Sequence, residues 1–595
     1  MNTYIEEYPR PQLVRKRWTN LNGIWDFRFD DENKGEWEKW YADFPEAHQK
    51  IQVPFTYETD KSGIAEHQAH WYVWYHREIK VSDLKNADCQ ILHFEGSDFW
   101  TKVWVNGNYV GEHKGAYARF SFDISKFLQA GVNEITVRVE DGFSTEQPRG
   151  KQRWVDHNFG CWYVQTTGIW KSVWMESVNK KHIHSIKMTP ELVDSSVIME
   201  CRIANAEQER QLEIVAEISY HDTIINKVSM IPHEGISKVT TSVAYFGESE
   251  WSVHLWTPEH PDLYDVRVRL LEDGKIIDEI FSYFGMREIR IEKGNILLNG
   301  SPVYQRLILD QGYWKESGIT PPSEQAMIED IDKIQAMGFN GLRKHMKIED
   351  ERFLYWCDVK GLLVWSEMAA AYRFTDEAVA EYTREWLEAV RQNYNHPCII
   401  TWTPFNESWG VSQIKTDVRQ QAFTRGIYEL TKSIDPMRPV ITNDGWEHTM
   451  SDIITLHDYE ESDEPFLERY QGHLEELMSG EIYHSGSKSA MANGNVYHGQ
   501  PVIISEYGGI AFNGGEDDSW GYGNLVKTEE EFLVRYEKIT DAIKKLPYVC
   551  GYCYTQVSDV EQEVNGLLDA EHEYKIDAGK IEKINLKEVG IHKMK

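Results

Sequence analysis

Two stretches of the chain end alike. Ile399, Ile400, Thr401 and Trp402 form an apolar, β-rich run that passes through Thr403-Pro404-Phe405 into Asn406-Glu407-Ser408-Trp409-Gly410. Pro501-Val502-Ile503-Ile504-Ser505 runs in the same way into Glu506-Tyr507-Gly508-Gly509. A hydrophobic strand that stops at a glutamate puts the carboxylate at its mouth rather than inside it, and the glycines after Glu506 let the chain turn away. Two carboxylates facing one another among tryptophans and tyrosines suit cleavage of a glycosidic bond, which needs one group to attack or activate water and another to move a proton. An Asn-Glu pair after a strand is common and by itself structural. The two strand-end glutamates together, both with aromatic flanks, are what point to a site.

For the two groups to meet, their strands must share one parallel barrel, whose chemistry sits at the C-terminal mouth. From about residue 285 the chain alternates strand and helix as that requires. Pro321-Pro322-Ser323 opens a helix with Met327, Ile331 and Ile334 on one face, and Gly338 closes it. A strand follows over 340–343, then a helix ending at Gly361 and a strand over 362–365. The helix after Thr375 carries Val379, Tyr382, Trp386 and Val390 on its buried stripe and leads to the strand before Glu407. Strands over 303–309, 440–442, 453–456, 502–505 and 549–554 complete the eight of a (β/α)8 TIM barrel. The connection over 443–452 is too short for a regular helix.

Upstream, residues 1–180 read as a β-sandwich of jelly-roll type, with short alternating runs such as Trp71-Tyr72-Val73-Trp74-Tyr75 parted by turns such as Asn106-Gly107-Asn108. Residues 181–284 lose tryptophan, and Leu212 to Ile218 and Val266 to Leu270 alternate with period two, as an immunoglobulin-like β-sandwich would. No catalytic constellation is visible there, and a spacer role is expected. Residues 285–595 are the barrel. The segment Arg153 to Trp174, dense in aromatic and polar groups, fits either core plus turn or a loop reaching into a neighbouring site.

Composition narrows the function. A chain of 595 residues needs several domains at roughly 100–200 residues each. Its 22 Trp and 31 Tyr fill β-cores and also stack on sugar faces, so a carbohydrate partner is permitted. A formal charge of −33 repels nucleic acid and acidic membranes, though local Arg or Lys can reverse the field in a pocket. The start, Met1-Asn2-Thr3-Tyr4-Ile5-Glu6-Glu7, lacks a secretory pattern, and no apolar run approaches the roughly 20 residues of a membrane helix. Seven scattered cysteines suit free thiols and a cytoplasmic location. Cys550 and Cys553 form a Cys-x-x-Cys without a second pair or a histidine cluster, so no metal is expected there. No cofactor is expected, and homo-oligomerisation is left open.

The domain order and the two glutamate motifs together resemble glycoside hydrolase family 2, the β-galactosidases, β-glucuronidases and β-mannosidases, over nearly the whole chain. The resemblance implies that Glu407 is the acid/base and Glu506 the nucleophile of a retaining exo-β-glycosidase. It also implies that Asn406 binds the sugar 2-hydroxyl, that Arg343, followed by His345, holds the nucleophile ionised, and that Tyr459, after His457-Asp458, sits beside the nucleophile. Glu407 then needs surroundings that raise its pKa from about 4.3 toward about 6–7, a duty Trp402, Phe405 and Trp409 could perform by desolvation. Asp310, Gln311, Tyr313 and Trp314 leave strand one at the same mouth as candidate sugar contacts, and Tyr554 ends strand eight there.

Departures from the family pattern bear on the sugar. Members acting on glucuronides often carry an Asn-x-Lys that grips the carboxylate, and the nearest counterpart here is Asn565-Gly566-Leu567. An apolar side chain cannot pair a buried carboxylate. Strand one reads Leu309-Asp310-Gln311-Gly312 in place of the Arg-His-Glu of the best-known galactosidases, and Tyr554-Thr555-Gln556 stands where those enzymes often place tryptophan. A β-galactosidase-like activity is the expectation, with β-glucuronidase, β-mannosidase or arabinosidase as alternatives on the same mechanism, and a non-catalytic carbohydrate-binding protein as the remote one.

Overall fold

The computed structural model describes residues 4–80, 87–206, 212–246, 251–512 and 519–588. In the first sandwich a six-stranded sheet (Gln49–Val53, Gly23–Phe29, Tyr72–Lys80, Val132–Glu140, Trp100–Val105, Asn108–Lys114) faces a four-stranded one (Trp18–Asn20, Val173–Val178, Cys89–Phe94, Phe120–Asp123). Alternate residues of both sheets, among them Trp25, Phe27, Val73, Tyr75, Leu92 and Phe94, share one core. The second sandwich packs a three-stranded sheet on a four-stranded one. Its period-two pattern is realised in the register: Ile214, Ala216 and Ile218 lie opposite Leu270, Val268 and Val266, all buried.

The third domain is the curled parallel sheet that the strand and helix alternation predicts. Strand one is Gln305–Asp310, strand two Gly341–Lys344, strand three Leu363–Glu367, strand four Ile399–Thr403, strand six Ile454–His457, strand seven Val502–Gly508 and strand eight Val549–Thr555, hydrogen-bonded in the order four, three, two, one, eight, seven, six. Strand five differs from the expectation. Instead of a ladder over 440–442 there is one bridge from Val440 to Trp402, and the two-residue strand Asn443–Asp444 pairs with Phe405–Asn406 beyond the end of strand four. Between strands five and six the join is made by single bonds: Gly445 N donates to Thr455 Oγ1 (3.0 Å), and His457 N to the Gly445 carbonyl (3.2 Å). No helix lies between those strands, so the chain has too few residues there to hold strand five in a full ladder.

The helices start where side chains cap them. Ser323 accepts from Ala326 N at the head of Glu324–Ala336, and Thr375 from Ala378 N at the head of Asp376–Asn393, so orphan amide groups of the first turn are satisfied locally. Gly361, at φ +76°, ends Glu351–Lys360 in the left-handed conformation. No helix among the described residues is long and apolar enough to cross a membrane.

The chain after Glu140 leaves the first sandwich and crosses the barrel mouth, so the first part of the Arg153 to Trp174 segment follows the loop reading. Gly168–Ile169 and Val173–Val178 return it to strand and buried core, as the other reading has it. Arg149 N and Gly150 N both donate to the Ala370 carbonyl (2.9 and 3.0 Å), and Tyr372 N donates to the Thr145 carbonyl (2.9 Å). Gly150 has φ +60°, and a Cβ there would stand 2.6 Å from the Met346 carbonyl oxygen. Only glycine lets the loop approach the ends of strands two and three this closely. Farther on, Trp162 Nε1 donates to Tyr372 Oη (2.7 Å), and Trp520 Nε1 donates to the Gly160 carbonyl (2.9 Å).

Candidate active site

Glu407 stands just past strand four, and its backbone is unusual. It and Ser408 both occupy the left-handed region, at φ +52° and +60°, which costs about 1–3 kcal/mol for such residues and persists only where neighbours enforce it. Strand five supplies the enforcement: Glu407 N donates to the Asp444 carbonyl (2.9 Å) and Ser408 N to Asn443 Oδ1 (2.9 Å). The displaced pair Asn443–Asp444 thus fixes the turn that aims Glu407 inward.

Glu506 lies within strand seven, in parallel register with His457 at the end of strand six. The nearest side-chain oxygens of Glu407 and Glu506 and a ring nitrogen of His457 all lie within 4.8 Å of one another. His457 Nδ1 is 2.8 Å from Glu407 Oε1 and 3.4 Å from Glu506 Oε2, while its Nε2 is 2.8 Å from Asp444 Oδ2. Burial opposes charge on this ring, yet the carboxylates of Glu506 and Asp444, with the Glu407 contact, push the imidazole up to about 10. His457 is therefore a cation held between the two glutamates at neutral pH.

Arg343, on strand two and wholly buried, ties the floor together. Its guanidinium reaches Glu367 Oε2 (2.6 Å), Asp444 Oδ2 (2.6 Å), Glu506 Oε1 (2.9 Å) and Asn406 Oδ1 (2.8 Å). Three buried carboxylates around one guanidinium is a network in which each member depends on the others. His345 Nδ1 lies 3.0 Å from both Glu367 Oε1 and Arg343 Nη2, and burial holds this ring below its ordinary range. Tyr459 Oη donates to Glu506 Oε2 (2.5 Å) and stacks at 3.4 Å on Tyr522.

The structure thus brings together Glu407, Glu506, Asn406, Arg343, His345 and Tyr459. Gln311 joins them at the rim, where its Nε2 donates to Tyr163 Oη (2.8 Å), Gln556 Oε1 (2.7 Å) and Glu563 Oε2 (3.1 Å). Other expected contacts are not brought there. Asp310 is buried against Lys344 (2.5 Å) and Gly312 N (2.7 Å), and Trp314 stacks on His572 at 5.5 Å beside Lys347. Tyr554 is wholly buried and packs on Tyr507 and Tyr536, on the helix side of the sheet. Side chains alternate along a strand, so the residues of strand eight that face inward are Cys553 and Thr555, the latter 3.2 Å from Tyr459 Oη.

The expected desolvation of Glu407 by Trp402, Phe405 and Trp409 is also corrected. Trp402 donates to Asp435 (2.8 Å) and Phe405 packs on Tyr382 and Phe423, both in the layer between strands and helices. Of the three only Trp409 reaches the mouth, where it meets Trp162 (5.3 Å) and Tyr372 (5.4 Å). Burial does push the Glu407 carboxyl up, but the hydrogen bond to His457 and that ring's charge outweigh it and hold Glu407 below the ordinary range. Between Glu407 and His457 the proton rests on the imidazole.

Sequence reasoning passed over His457, Glu367, Asp444 and Lys151 as site residues, and placed Trp162 in a segment that fits either core or a loop reaching into a neighbouring site. A signal for two of them was present: Glu367 ends strand three and Asp444 ends strand five, the same strand-end position that singled out Glu407. Two clusters among the described residues have the donor types of a metal site. Glu407, His457 and Glu506 already bond one another, and the sealed group Asp358, His396 and Cys398 is occupied internally, with Asp358 accepting from Tyr283 Oη (2.8 Å) and Cys398 N (2.8 Å) and lying 2.6 Å from His396 Nδ1.

Three family profiles match consecutive parts of the chain: "Glycosyl hydrolases family 2, sugar binding domain" over residues 18–177, "Glycosyl hydrolases family 2" over 181–287 and "Glycosyl hydrolases family 2, TIM barrel domain" over 289–582. A putative beta-glucuronidase of Formosa agariphila is 29% identical over 386 residues, 61% of this chain and 44% of that protein. A beta-galactosidase of Thermoanaerobacter pseudethanolicus is 28% identical over 441 residues, 71% of this chain and 53% of that protein. The chain spans about half the length of these two relatives. Among solved structures, the beta-glucuronidase of Bifidobacterium dentium complexed with coumarin-3-O-glucuronide superposes with a TM-score of 0.78 at 19% identity, over 97% of this chain and 98% of that one, a likeness of fold.

Proposed function

Since this chain belongs to glycoside hydrolase family 2, matched in all three of its domains, we propose that it is a retaining exo-β-glycosidase acting on a terminal β-linked hexuronide, with Glu506 as nucleophile and Glu407 as acid/base. The observation that carries the mechanism is the separation of the two carboxylates: oxygens within 4.8 Å suit direct attack on the anomeric carbon, whereas a water-activating pair would stand about 6.5–9.5 Å apart. Glu506 Oε attacks C1 as the bond from C1 to the leaving oxygen breaks. That oxygen takes a proton from Glu407, which receives it from His457. Water then attacks C1 of the glycosyl ester and gives its proton to Glu407, which returns it to His457, while Glu506 leaves as carboxylate. Asn406, held by Arg343, is positioned for the sugar 2-hydroxyl.

The names of two of the three proteins compared above support a glucuronide over the galactoside that the motifs suggest. The galactosidase relative keeps a β-galactoside as the second reading. The test is a panel of nitrophenyl β-glycosides with the wild type, Glu506→Ala and Glu407→Ala. Glu506→Ala should lose turnover on every substrate. Glu407→Ala should lose roughly 100- to 10,000-fold on poor leaving groups and regain turnover of good ones with azide. Parent-rate hydrolysis by Glu506→Ala would overturn the mechanism, and a wild type that prefers the galactoside would overturn the choice of sugar.

A further inference from the structure

The loop from the first domain carries a lysine into the barrel mouth, and that lysine has no assigned task. Lys151 follows Gly150, the residue wedged against Met346 and Ala369, and its carbonyl accepts from Tyr163 N (2.9 Å). Its main chain is therefore fixed to both the loop and the barrel. The residue is half-buried, and the groups that share its electrostatic field are Glu407, Glu563, the Cys161 thiol, Tyr372 and Tyr522.

The other cations of the mouth are engaged. Arg343 holds three carboxylates, and Lys344 and Lys347 share Glu349 at 2.8 Å each. Arg153 bonds Gln165 (2.8 Å), Asn158 (3.0 Å) and the His67 carbonyl (2.6 Å). Lys151, in contrast, forms no ion pair among the described residues; its charge is felt by the Glu407 and Glu563 carboxylates, and the Cys161 thiol is the group it hydrogen-bonds. Glu563 takes its hydrogen bonds elsewhere, from Tyr163 Oη and Gln311 Nε2. The neighbours of Lys151 outweigh burial and keep the ammonium charged, while no carboxylate among the described residues pairs it directly, which leaves it open to an anion of the substrate.

The loop after strand eight has one lysine, the half-buried Lys575, and Asp559 already holds it (2.8 Å). Leu567 is wholly buried among apolar residues, and the Asn565 amide, also buried, has both polar atoms without a partner. We infer that Lys151, delivered by the first domain, is the specificity residue that pairs with the carboxylate of the substrate's hexuronic acid. This places sugar selection on the jelly-roll loop and rests on the uronide reading given above.

The experiment compares kcat/KM for nitrophenyl β-glucuronide and β-galacturonide with those for nitrophenyl β-glucoside and β-galactoside, in wild type, Lys151→Met and Lys151→Arg. Intact sites are counted by covalent labelling of Glu506 with a 2-deoxy-2-fluoro glycoside. Losing a buried partner of a carboxylate should lower the uronide-to-hexoside ratio roughly 100-fold in Lys151→Met, and Lys151→Arg should keep most of it. A wild type that prefers uronides while Lys151→Met keeps the same ratio sinks the role of Lys151 alone. A wild type that cleaves only neutral glycosides sinks the uronide reading and this role with it. Should Lys151→Met fail to fold, Lys151→Gln gives the same comparison.

Discussion

His457 Nδ1 lies 2.8 Å from Glu407 Oε1 and 3.4 Å from Glu506 Oε2, so a single imidazolium bridges the two carboxylates that face the substrate. A titration in the free enzyme then belongs to the pair His457 and Glu407 rather than to either residue. Below about pH 10 the pair holds its proton on His457, from which Glu407 can draw it when the leaving oxygen needs it. The alkaline limb of kcat/KM in the wild type should lie well above neutrality. In His457→Gln the proton must reside on Glu407 itself, and the limb should move toward acid by more than about one unit. An unchanged limb in the variant would show that His457 takes no part in proton supply.

Arg343→Lys tests the floor of the site. A lysine keeps the charge but cannot reach Glu367, Asp444, Glu506 and Asn406 from one planar fork. Leaving a buried carboxylate of this network uncompensated should cost about 3–5 kcal/mol in urea unfolding, and kcat should fall because Glu506 and Asn406 lose a shared anchor. A variant within about 0.5 kcal/mol of wild type would mean that the network is solvated.

Much of this arrangement could be read from the residues. The strand endings at Glu407 and Glu506, the capped helices at Ser323 and Thr375, and the short fifth connection each have a local cause, which sequence expresses directly. The contributions of Tyr554 and Asp310 could not be read, because a strand's last residues face in or out by a parity that only the register fixes, and Trp314 lies in the turn beyond strand one, where it stacks on His572. His457 escaped for another reason. Its charge comes from Glu407, Asp444 and Glu506, three residues on three different strands, and no spacing along the chain reports that meeting. The same holds for Lys151, which reaches the barrel from a domain that by pattern alone is a separate sandwich.

Trp162→Ala probes that crossing loop. Trp162 packs edge-on against Trp409, two residues beyond Glu407, and bonds Tyr372 Oη, so it walls the mouth on the side of Glu407, the proposed proton donor to the leaving group. Loss of an aromatic contact worth about 0.5–1.5 kcal/mol should raise KM for aryl glycosides roughly 2- to 10-fold and leave methyl glycosides less affected. Equal losses on both would assign Trp162 to packing of the loop and not to the leaving group.

Glu349 offers a check on stability in acid. It is buried between Lys344 and Lys347, each at 2.8 Å, and although burial raises its pKa, the two ammonium groups bring the carboxyl down to about 2. A carboxyl depressed on folding contributes stability above its unfolded pKa and loses it as pH falls through the folded value. The wild type should therefore lose this contribution progressively from about pH 4.5 to about pH 2. Glu349→Gln leaves both lysines without their shared carboxylate and should lower Tm at neutral pH, by an amount set by about 3–5 kcal/mol for a broken buried pair. On acidification the variant should approach the wild type, because the difference between them is the ionised carboxylate. Melting curves of both proteins at pH 7, 4, 3 and 2.5 decide it: a gap in Tm that stays constant across the series would mean that Glu349 stabilises the fold by packing rather than by charge.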